Sequence, residues 1–256
     1  MLETPQGGGA LNAIIVEGAR LDEGDEVLDV GSGYGQPGLS AAGAVGPTGR
    51  VVLTDVSSEM LVAARERADG EGLEGVECVV MDDDELDFDP ASFDAVISRH
   101  GLQFLADVPA ALRRLHSFLK TEGRFSATVW GPPERVGFQA PMAVFADALN
   151  LRPPSEGPGP NALADVERLT TFIGRAGFGG LHTGALTVTY ELESAEQTTR
   201  FLVDLVPQLR MMTTDLSQSD RDQLWARVNK EAWGPFVVDG GLVRLPCEAI
   251  WVTAVK

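Results

Sequence analysis

A glycine-rich turn between an apolar strand and a helix constrains this chain more than any other feature. The segment VLDVGSGYGQ runs from Val27 to Gln36, and in it a strand containing Asp29 leads into three glycines at alternate positions. A second apolar strand, Val51 to Thr54, is followed directly by Asp55. A glycine turn after a first strand and an acid at the end of the second are typical of a βαβ unit that binds a nucleoside.

The spacing of the glycines indicates which kind of nucleoside the turn suits. Dinucleotide turns follow the pattern G-x-G-x-x-G, whose third glycine lets helix and strand pack closely while the helix N-terminus faces a pyrophosphate. Counted from Gly31 and Gly33, that glycine would be residue 36, but the chain has Gln36 there and Gly35 before it. A G-x-G-x-G turn suits a ligand without phosphate and argues against a nicotinamide oxidoreductase. A tight turn that binds no ligand is the plainer alternative, which Asp55 disfavours.

The segment from Gly24 to Met60, GDEVLDVGSGYGQPGLSAAGAVGPTGRVVLTDVSSEM, resembles class I S-adenosylmethionine-dependent methyltransferases. It is most similar to the small-molecule branch related to the ubiquinone/menaquinone-biosynthesis methyltransferases. Further matches are MDDDELDF from Met81, FDAVISRHGLQFL from Phe93 and LKTEGRFSATVW from Leu119. The resemblance implies that S-adenosyl-L-methionine is the cofactor and that the chain is a methyltransferase, whereas none of these motifs is specific to a substrate.

Alternating strands and helices, together with this resemblance, predict an α/β fold with a doubly wound, mostly parallel seven-stranded sheet of the Rossmann-like type. We predict one methyltransferase domain over residues 1–256, with a short N-terminal helix within residues 1–20. Residues 131–160 and 191–240 exceed what such a domain usually contains, and long insertions in compact domains are commonly functional. We therefore predict that they form helical insertions that cap the substrate. They would replace the longer N-terminal segment with which relatives cover the active site, or the pocket would be unusually open.

The resemblance assigns contacts with the cofactor to residues near the ends of the first four strands. Asp55 is expected to accept hydrogen bonds from both ribose hydroxyls. Asp29 would lie near the ammonium group, or it would fix the backbone of the turn. Asp82 is expected at the adenine amino group, and Met60 against the adenine ring or in the helix core. The full predicted set is Asp29, Gly31, Ser32, Gly33, Gly35, Gln36, Asp55, Val56, Met60, Asp82, Asp83, Ser98 and Arg99.

His100 is the candidate catalytic residue. It follows the fourth strand, at the carboxyl edge where open α/β sheets bind ligands. A neutral imidazole there could take a proton from a phenol, a hydroxyl or an activated carbon, which is typically worth about 10²–10⁴-fold in rate. The alternative is a histidine that only orders its loop or packs against the cofactor. Gln103 could contact the cofactor or orient the acceptor, and Trp130 could wall the pocket or belong to the core.

The acidic run Asp82-Asp83-Asp84-Glu85 does not predict a metal site, because consecutive carboxylates in a loop cannot all face one ion. By resemblance, metal-dependent relatives place an acid after the fourth strand and two polar ligands after the fifth. This chain has Arg99-His100 and Trp130-Gly131 at those places. We therefore predict no metal.

The charge balance excludes several partners. The chain has 38 acidic and 20 basic residues and a formal net charge of −18, which repels nucleic acid and anionic membranes. No apolar run is long enough to predict a membrane span, and the first residues lack the features of a signal peptide. We predict a cytoplasmic protein with a small-molecule substrate. A homodimer could cover the pocket, but no sequence feature requires one.

Methyl transfer is a displacement on an already activated methyl group, so the protein mainly positions and desolvates the acceptor. We predict transfer to an oxygen or carbon atom of a small, apolar or aromatic metabolite. Apolar residues of the second insertion could line the acceptor site or simply pack in a core: Phe201, Leu205, Met211, Met212 and Trp225. The alternative function is an enzyme that binds the cofactor without methylating, such as a cyclase or decarboxylase, or a silent scaffold.

Overall fold

The computed structural model describes residues 4, 7–82, 85–150, 157–205 and 207–256. The strands are β1 (Glu26–Val30), β2 (Arg50–Asp55), β3 (Val76–Val80), β4 (Phe93–Arg99), β5 (Leu119–Trp130), β6 (Gly179–Leu192) and β7 (Val243–Val255). The helices are α1 (Gly8–Ala19), α2 (Gly38–Val45), α3 (Ser58–Gly70), α4 (Val108–Phe118), α5 (Ala140–Ala148), α6 (Val166–Arg175), α7 (Ala195–Leu205), α8 (Pro207–Met212) and α9 (Gln218–Arg227).

The seven strands of the described residues belong to one sheet with the order β3-β2-β1-β4-β5-β7-β6. Strands β1 to β5 pair in parallel, and β7 runs antiparallel to β5. The direction in which successive strands are added reverses between β1 and β4. A doubly wound sheet binds its ligands outside the carboxyl ends of the strands at such a reversal. The predicted fold class is confirmed.

Alternating residues of the inner strands bury opposite faces of the sheet, as the two-residue period of a strand requires. Leu28 and Val96 lie in one apolar cluster with Leu112 of α4 and Ile173 of α6. The neighbouring residues Val27 and Ile97 lie in a second cluster with residues of α1, α2 and α3. Helices therefore cover both faces of the inner strands of the sheet.

The boundary between α4 and β5 differs from the sequence prediction. The pattern predicts a helix to about Lys120 and a strand from Arg124, whereas the helix ends at Phe118 and the strand begins at Leu119. Leu119 pairs with Phe93 of β4, and the register then shifts before Arg124 resumes the pairing. Pairing with a neighbouring strand therefore overrides the local pattern.

The described chain divides into two compact units. The first consists of Gly9–Gly131, Glu156–Leu186 and Ala249–Lys256, and the second of Met1–Gly8, Pro132–Ser155 and Thr187–Glu248. The second unit includes all of residues 191–240 and most of residues 131–160. That these insertions cap a substrate stays a prediction.

The second unit has an aromatic core of its own. Phe145 is fully buried and meets the Trp225 ring edge to face, with centroids 5.4 Å apart. Trp233 is also fully buried, and its indole N–H donates to Thr199 Oγ1 at 2.8 Å. Trp225 thus packs in this core, while the side chain of Leu205 lies outside the described residues.

Candidate functional site

The acid that ends β2 is hydrogen-bonded to the glycine turn that follows β1. Asp55 Oδ2 accepts from the Gly33 N–H at 2.9 Å, and Asp55 Oδ1 accepts from the Ser57 N–H at 2.9 Å. Ser57 also caps α3, since its Oγ accepts from the Met60 N–H at 3.2 Å. The carboxylate of Asp55 is therefore fixed before any ligand arrives, and each oxygen keeps a lone pair for a hydroxyl donor.

The three glycines of the turn all adopt positive φ, at 66° for Gly31, 52° for Gly33 and 95° for Gly35. Among the described residues, a β-carbon at Gly33 would meet only Met60 Sδ, at 3.8 Å, so the space above that peptide is open there. At Gly35 a β-carbon would lie 2.9 Å from Leu39 and 3.1 Å from the Ala64 side chain. Gly33 thus leaves room for a ligand, whereas Gly35 is also required for packing between α2 and α3.

Asp29 fixes the start of the helix that follows the glycine turn. Its side chain is fully buried, and its Oδ2 accepts from the Gly38 N–H at 2.8 Å. The carboxylate thereby satisfies a free N–H in the first turn of α2, where a negative charge is favourable. Fixing the backbone is one of the two roles expected for Asp29, and contact with the cofactor's ammonium group stays a prediction.

Gly38 is a site residue that the sequence analysis missed. A β-carbon there would lie 2.7 Å from Asp29 Oδ2 and would also collide with the Leu53 side chain. The available signal was a glycine at the first position of the helix that follows the turn, where helix and strand approach most closely.

We expect Gly38→Ala to lower the free energy of unfolding by about 1–3 kcal/mol, because the added methyl overpacks the contact between α2 and Asp29. Gly43→Ala is the matched control. It lies in the same helix, its β-carbon would have no neighbour within 4 Å in the described part of the chain, and alanine there should be neutral or stabilising. Urea unfolding of both variants measures the difference, and equal stabilities would contradict the assigned contact.

The other predicted residues of β1, β2 and β3 lie around this turn. Ser32 is buried, and its N–H donates to the Thr54 carbonyl at 2.8 Å. Gln36 Oε1 accepts from the Ser40 hydroxyl at 2.6 Å. Val56 is 65% exposed directly after Asp55, where an apolar ring could cover it. Asp82 is exposed just beyond β3, and Asp83 lies outside the described residues.

At the end of β4, the predicted residues bind neighbouring elements. Ser98 is fully buried, and its hydroxyl donates to the Val30 carbonyl at 2.8 Å. Arg99 Nη1 donates to Asn12 Oδ1 of α1 at 2.7 Å. Gly101, which the sequence analysis missed, has room for no β-carbon, since one would lie 2.7 Å from the Val30 carbonyl oxygen. These contacts tie the end of β4 and the loop after it to the end of β1 and to α1, and roles of Ser98 and Arg99 in cofactor binding stay predictions.

His100 adopts a left-handed backbone conformation, with φ 61°, and its N–H donates to the Thr128 carbonyl at 2.8 Å. Its ring stacks on Trp130, with centroids 3.7 Å apart and planes 15° from parallel. Burial, and then the cation of Arg99, hold the pKa of His100 well below its usual range. The imidazole is therefore neutral at physiological pH.

Gln103 lies in the same loop and is also tied to β5. Its Oε1 accepts from the Trp130 N–H at 2.9 Å, and its carbonyl accepts from the Gly159 N–H at 2.9 Å. The structure thus brings His100, Gln103 and Trp130 together at the carboxyl edge of β4 and β5. The glycine turn follows the adjacent strand β1, and Asp55 is the last residue of β2. The Trp130 N–H could not be foreseen as the partner of Gln103, because the two lie 27 positions apart.

The lowered pKa of His100 predicts a dependence of stability on pH. An unfolded histidine titrates near about pH 6.5, so below that pH the unfolded chain binds a proton that folded His100 does not. The free energy of unfolding should therefore fall on acidification, by at most about 1.4 kcal/mol per pH unit from this group. We expect His100→Asn to show a smaller slope than the wild type in urea unfolding between about pH 5 and 6.5. Equal slopes would contradict the burial of a neutral ring.

The described residues contain neither a cluster of metal-ligating side chains nor a helix that could span a membrane. Among the described residues, no three His, Cys, Asp or Glu side chains are grouped so that they could hold a metal ion. No helix in the described part of the chain is long and apolar enough to cross a membrane.

Comparison with known proteins gives matches to part of the sequence. Residues 27–123 match the family model described as a methyltransferase domain. The ubiquinone/menaquinone biosynthesis C-methyltransferase of Pseudoalteromonas translucida is 35% identical over 113 residues, which cover 44% of this chain and 45% of that protein. The enzyme of the same name from Pseudomonas savastanoi is 36% identical over 122 residues, 47% of each chain. The chain thus spans about half the length of the curated relatives it matches.

Solved structures resemble the whole chain at lower identity. The YcgJ protein of Bacillus subtilis superposes with a TM-score of 0.61 and 21% identity, covering 97% of this chain and 98% of its own. Phosphoethanolamine N-methyltransferase 2 of Haemonchus contortus, solved in complex with S-adenosyl-L-methionine, gives a TM-score of 0.59 and 21% identity. That match covers 98% of this chain and 53% of the other. Likeness at this level of identity establishes the fold alone.

Proposed function

We propose that residues 27–123, which match the methyltransferase-domain family model, bind S-adenosylmethionine. On this premise we propose that the chain transfers the cofactor's methyl group to an oxygen or carbon atom of a small, apolar or aromatic metabolite. The observation that carries the proposal is the glycine turn held by Asp55, with a neutral imidazole on the adjoining loop after β4. The first feature suits the cofactor, and the second suits the deprotonation of an acceptor.

The residues of the turn fit the cofactor. Asp55 has both oxygens fixed by backbone N–H groups and keeps acceptor capacity for two ribose hydroxyls. Gly33 leaves its peptide uncovered, so a ligand can approach the backbone closely. When bound, the cofactor would supply a methyl group on a positively charged sulfur: an oxygen or carbon nucleophile bonds to the methyl carbon, and the C–S bond breaks so that S-adenosylhomocysteine leaves.

His100 is proposed to take the acceptor's proton. Because its pKa lies well below the usual range, the ring is unprotonated and needs no prior loss of a proton. The stack on Trp130 restricts rotation of the ring, which reduces the entropy lost when an acceptor is oriented against it.

The class of acceptor is supported by charge and by the relatives. A net charge of −18 disfavours nucleic acid and favours a small molecule. The matched relatives are named as C-methyltransferases of ubiquinone and menaquinone biosynthesis, which favours a ring-containing acceptor. The second unit is rich in aromatic contacts, such as Phe138 with Tyr190 at 4.9 Å. We propose that the insertions at residues 131–160 and 191–240 supply apolar surroundings for this acceptor.

The test is turnover with a labelled cofactor. The purified chain is incubated with S-adenosylmethionine carrying a ¹³C-methyl group and with separate phenols, hydroquinones and enols. Mass spectrometry then follows S-adenosylhomocysteine and the labelled product. The proposal predicts that S-adenosylhomocysteine and a ¹³C-labelled product both form when at least one of these acceptors is present. Neither should form when no acceptor is added. Cofactor that binds but is never consumed would overturn it and would support a non-methylating enzyme or a silent scaffold.

A further inference from the structure

Gln103 has an amide whose orientation is fixed by the protein. Its side chain is fully buried, and its Oε1 receives the Trp130 N–H. A backbone N–H can only donate, so the amide oxygen must face Trp130 and the NH2 group must face away from it. The Gly159 N–H, bonded to the Gln103 carbonyl, anchors the main chain as well. Gln103 therefore presents a donor in a set direction.

This donor has no partner in the part of the chain that the structure describes. The same holds for both ring nitrogens of His100, and all three atoms are shielded from solvent. Buried polar atoms in native proteins are nearly always hydrogen-bonded, so unpaired atoms call for an explanation. His100 and Gln103 share one loop and both contact Trp130, one through its ring and the other through its backbone. Unpaired atoms of two side chains fixed to the same residue indicate a binding site.

We propose that Gln103 binds the acceptor and selects one whose reacting group is a hydroxyl. This inference rests on the proposed methyl transfer. A neutral imidazole offers a nitrogen that accepts a proton, and Gln103 Nε2 can only donate. A hydroxyl group complements this pair, because it donates its proton to His100 while its oxygen accepts from Gln103.

An amine acceptor fits the pair less well. Its nitrogen has one lone pair, which must attack the methyl group and cannot at the same time accept from Gln103. A hydroxyl oxygen has two lone pairs, and it gains negative charge as its proton passes to His100. The Nε2 donor then stabilises that charge in a site shielded from water. The freed electron pair, on oxygen or delocalised onto a ring carbon, is the nucleophile.

Two small aromatic probes test the selection in the folded protein with S-adenosylhomocysteine bound. 4-Nitrophenol carries the hydroxyl, and nitrobenzene has the same ring without it. Dissociation constants for both are measured by calorimetry in wild type, Gln103→Met and Gln103→Glu. Methionine removes the donor at similar volume. Glutamate keeps an acceptor for the Trp130 N–H and replaces the NH2 group. Gln223→Glu, on an exposed position of α9, controls for the added charge.

The proposal predicts that wild type and Gln223→Glu prefer 4-nitrophenol to nitrobenzene at least tenfold, and that both Gln103 variants lose this preference while their affinity for S-adenosylhomocysteine is unchanged. Equal affinities for the two probes in wild type would overturn it. So would variants that weaken both probes alike, since that result indicates a purely structural role. A wild type that does not bind S-adenosylhomocysteine would instead contradict the proposed function itself.

Discussion

We expect His100→Asn to lower kcat of methyl transfer by about 10²–10⁴-fold, the usual contribution of a positioned general base. Asparagine is the appropriate replacement because His100 has φ 61°, and asparagine tolerates that left-handed conformation better than most residues. It keeps the backbone N–H that bonds to the Thr128 carbonyl but cannot take a proton. Affinity for S-adenosylhomocysteine should be unchanged, because the bonds that fix Asp55 do not involve His100.

Single-turnover rates at saturating cofactor measure this effect without a contribution from product release. His182→Asn is the matched control, since His182 is an exposed residue of β6 to which no role in the reaction is assigned. A rate within threefold of wild type would leave His100 with the loop-ordering role that the sequence analysis kept as its alternative. Loss of cofactor affinity in parallel with the rate would indicate a collapsed loop instead of a missing base.

Local patterns predicted the parts of the fold that depend on local chemistry. Ser57 and Asp107 cap α3 and α4, and a short side-chain oxygen directly before a helical pattern is a local signal for such a cap because it satisfies a free N–H. Both accept from the residue three positions later, at 3.2 Å and 2.9 Å respectively. The glycine turn and Asp55 were found because their spacing along the chain is itself the signal.

Contacts between distant segments could not be predicted in the same way. Gly101 needs to be glycine because the Val30 carbonyl lies against it. No residue pattern within the loop after β4 predicts this contact with β1. The stack of His100 on Trp130 joins the ends of two strands across the sheet. Such contacts arise only once β1, β4 and β5 are aligned, which is why the turn was predicted more completely than its surroundings.

We expect Asp55→Ala to weaken cofactor binding on the order of a hundredfold. Hydrogen bonds to a charged group are worth about 1.5–3 kcal/mol each, and a hundredfold change corresponds to about 2.7 kcal/mol. Alanine removes the acceptor for both ribose hydroxyls, and it also frees the N–H groups of Gly33 and Ser57. Asp55→Asn should lose less affinity, since its amide oxygen can still accept from one of these two N–H groups.

Calorimetry with S-adenosylhomocysteine measures these affinities directly, with Asp87→Ala as the control that removes one exposed acid from the same protein. The Asp55→Asn variant separates two explanations of a loss of cofactor affinity. If Asp55 acts on the cofactor only by fixing the turn, Asn should restore most of the affinity through the bond to the Gly33 N–H. If the carboxylate binds the ribose itself, Asn should stay well below wild type, because one of its two side-chain acceptors has become a donor. Unchanged affinity in Asp55→Ala would place the cofactor away from the ends of β1 and β2.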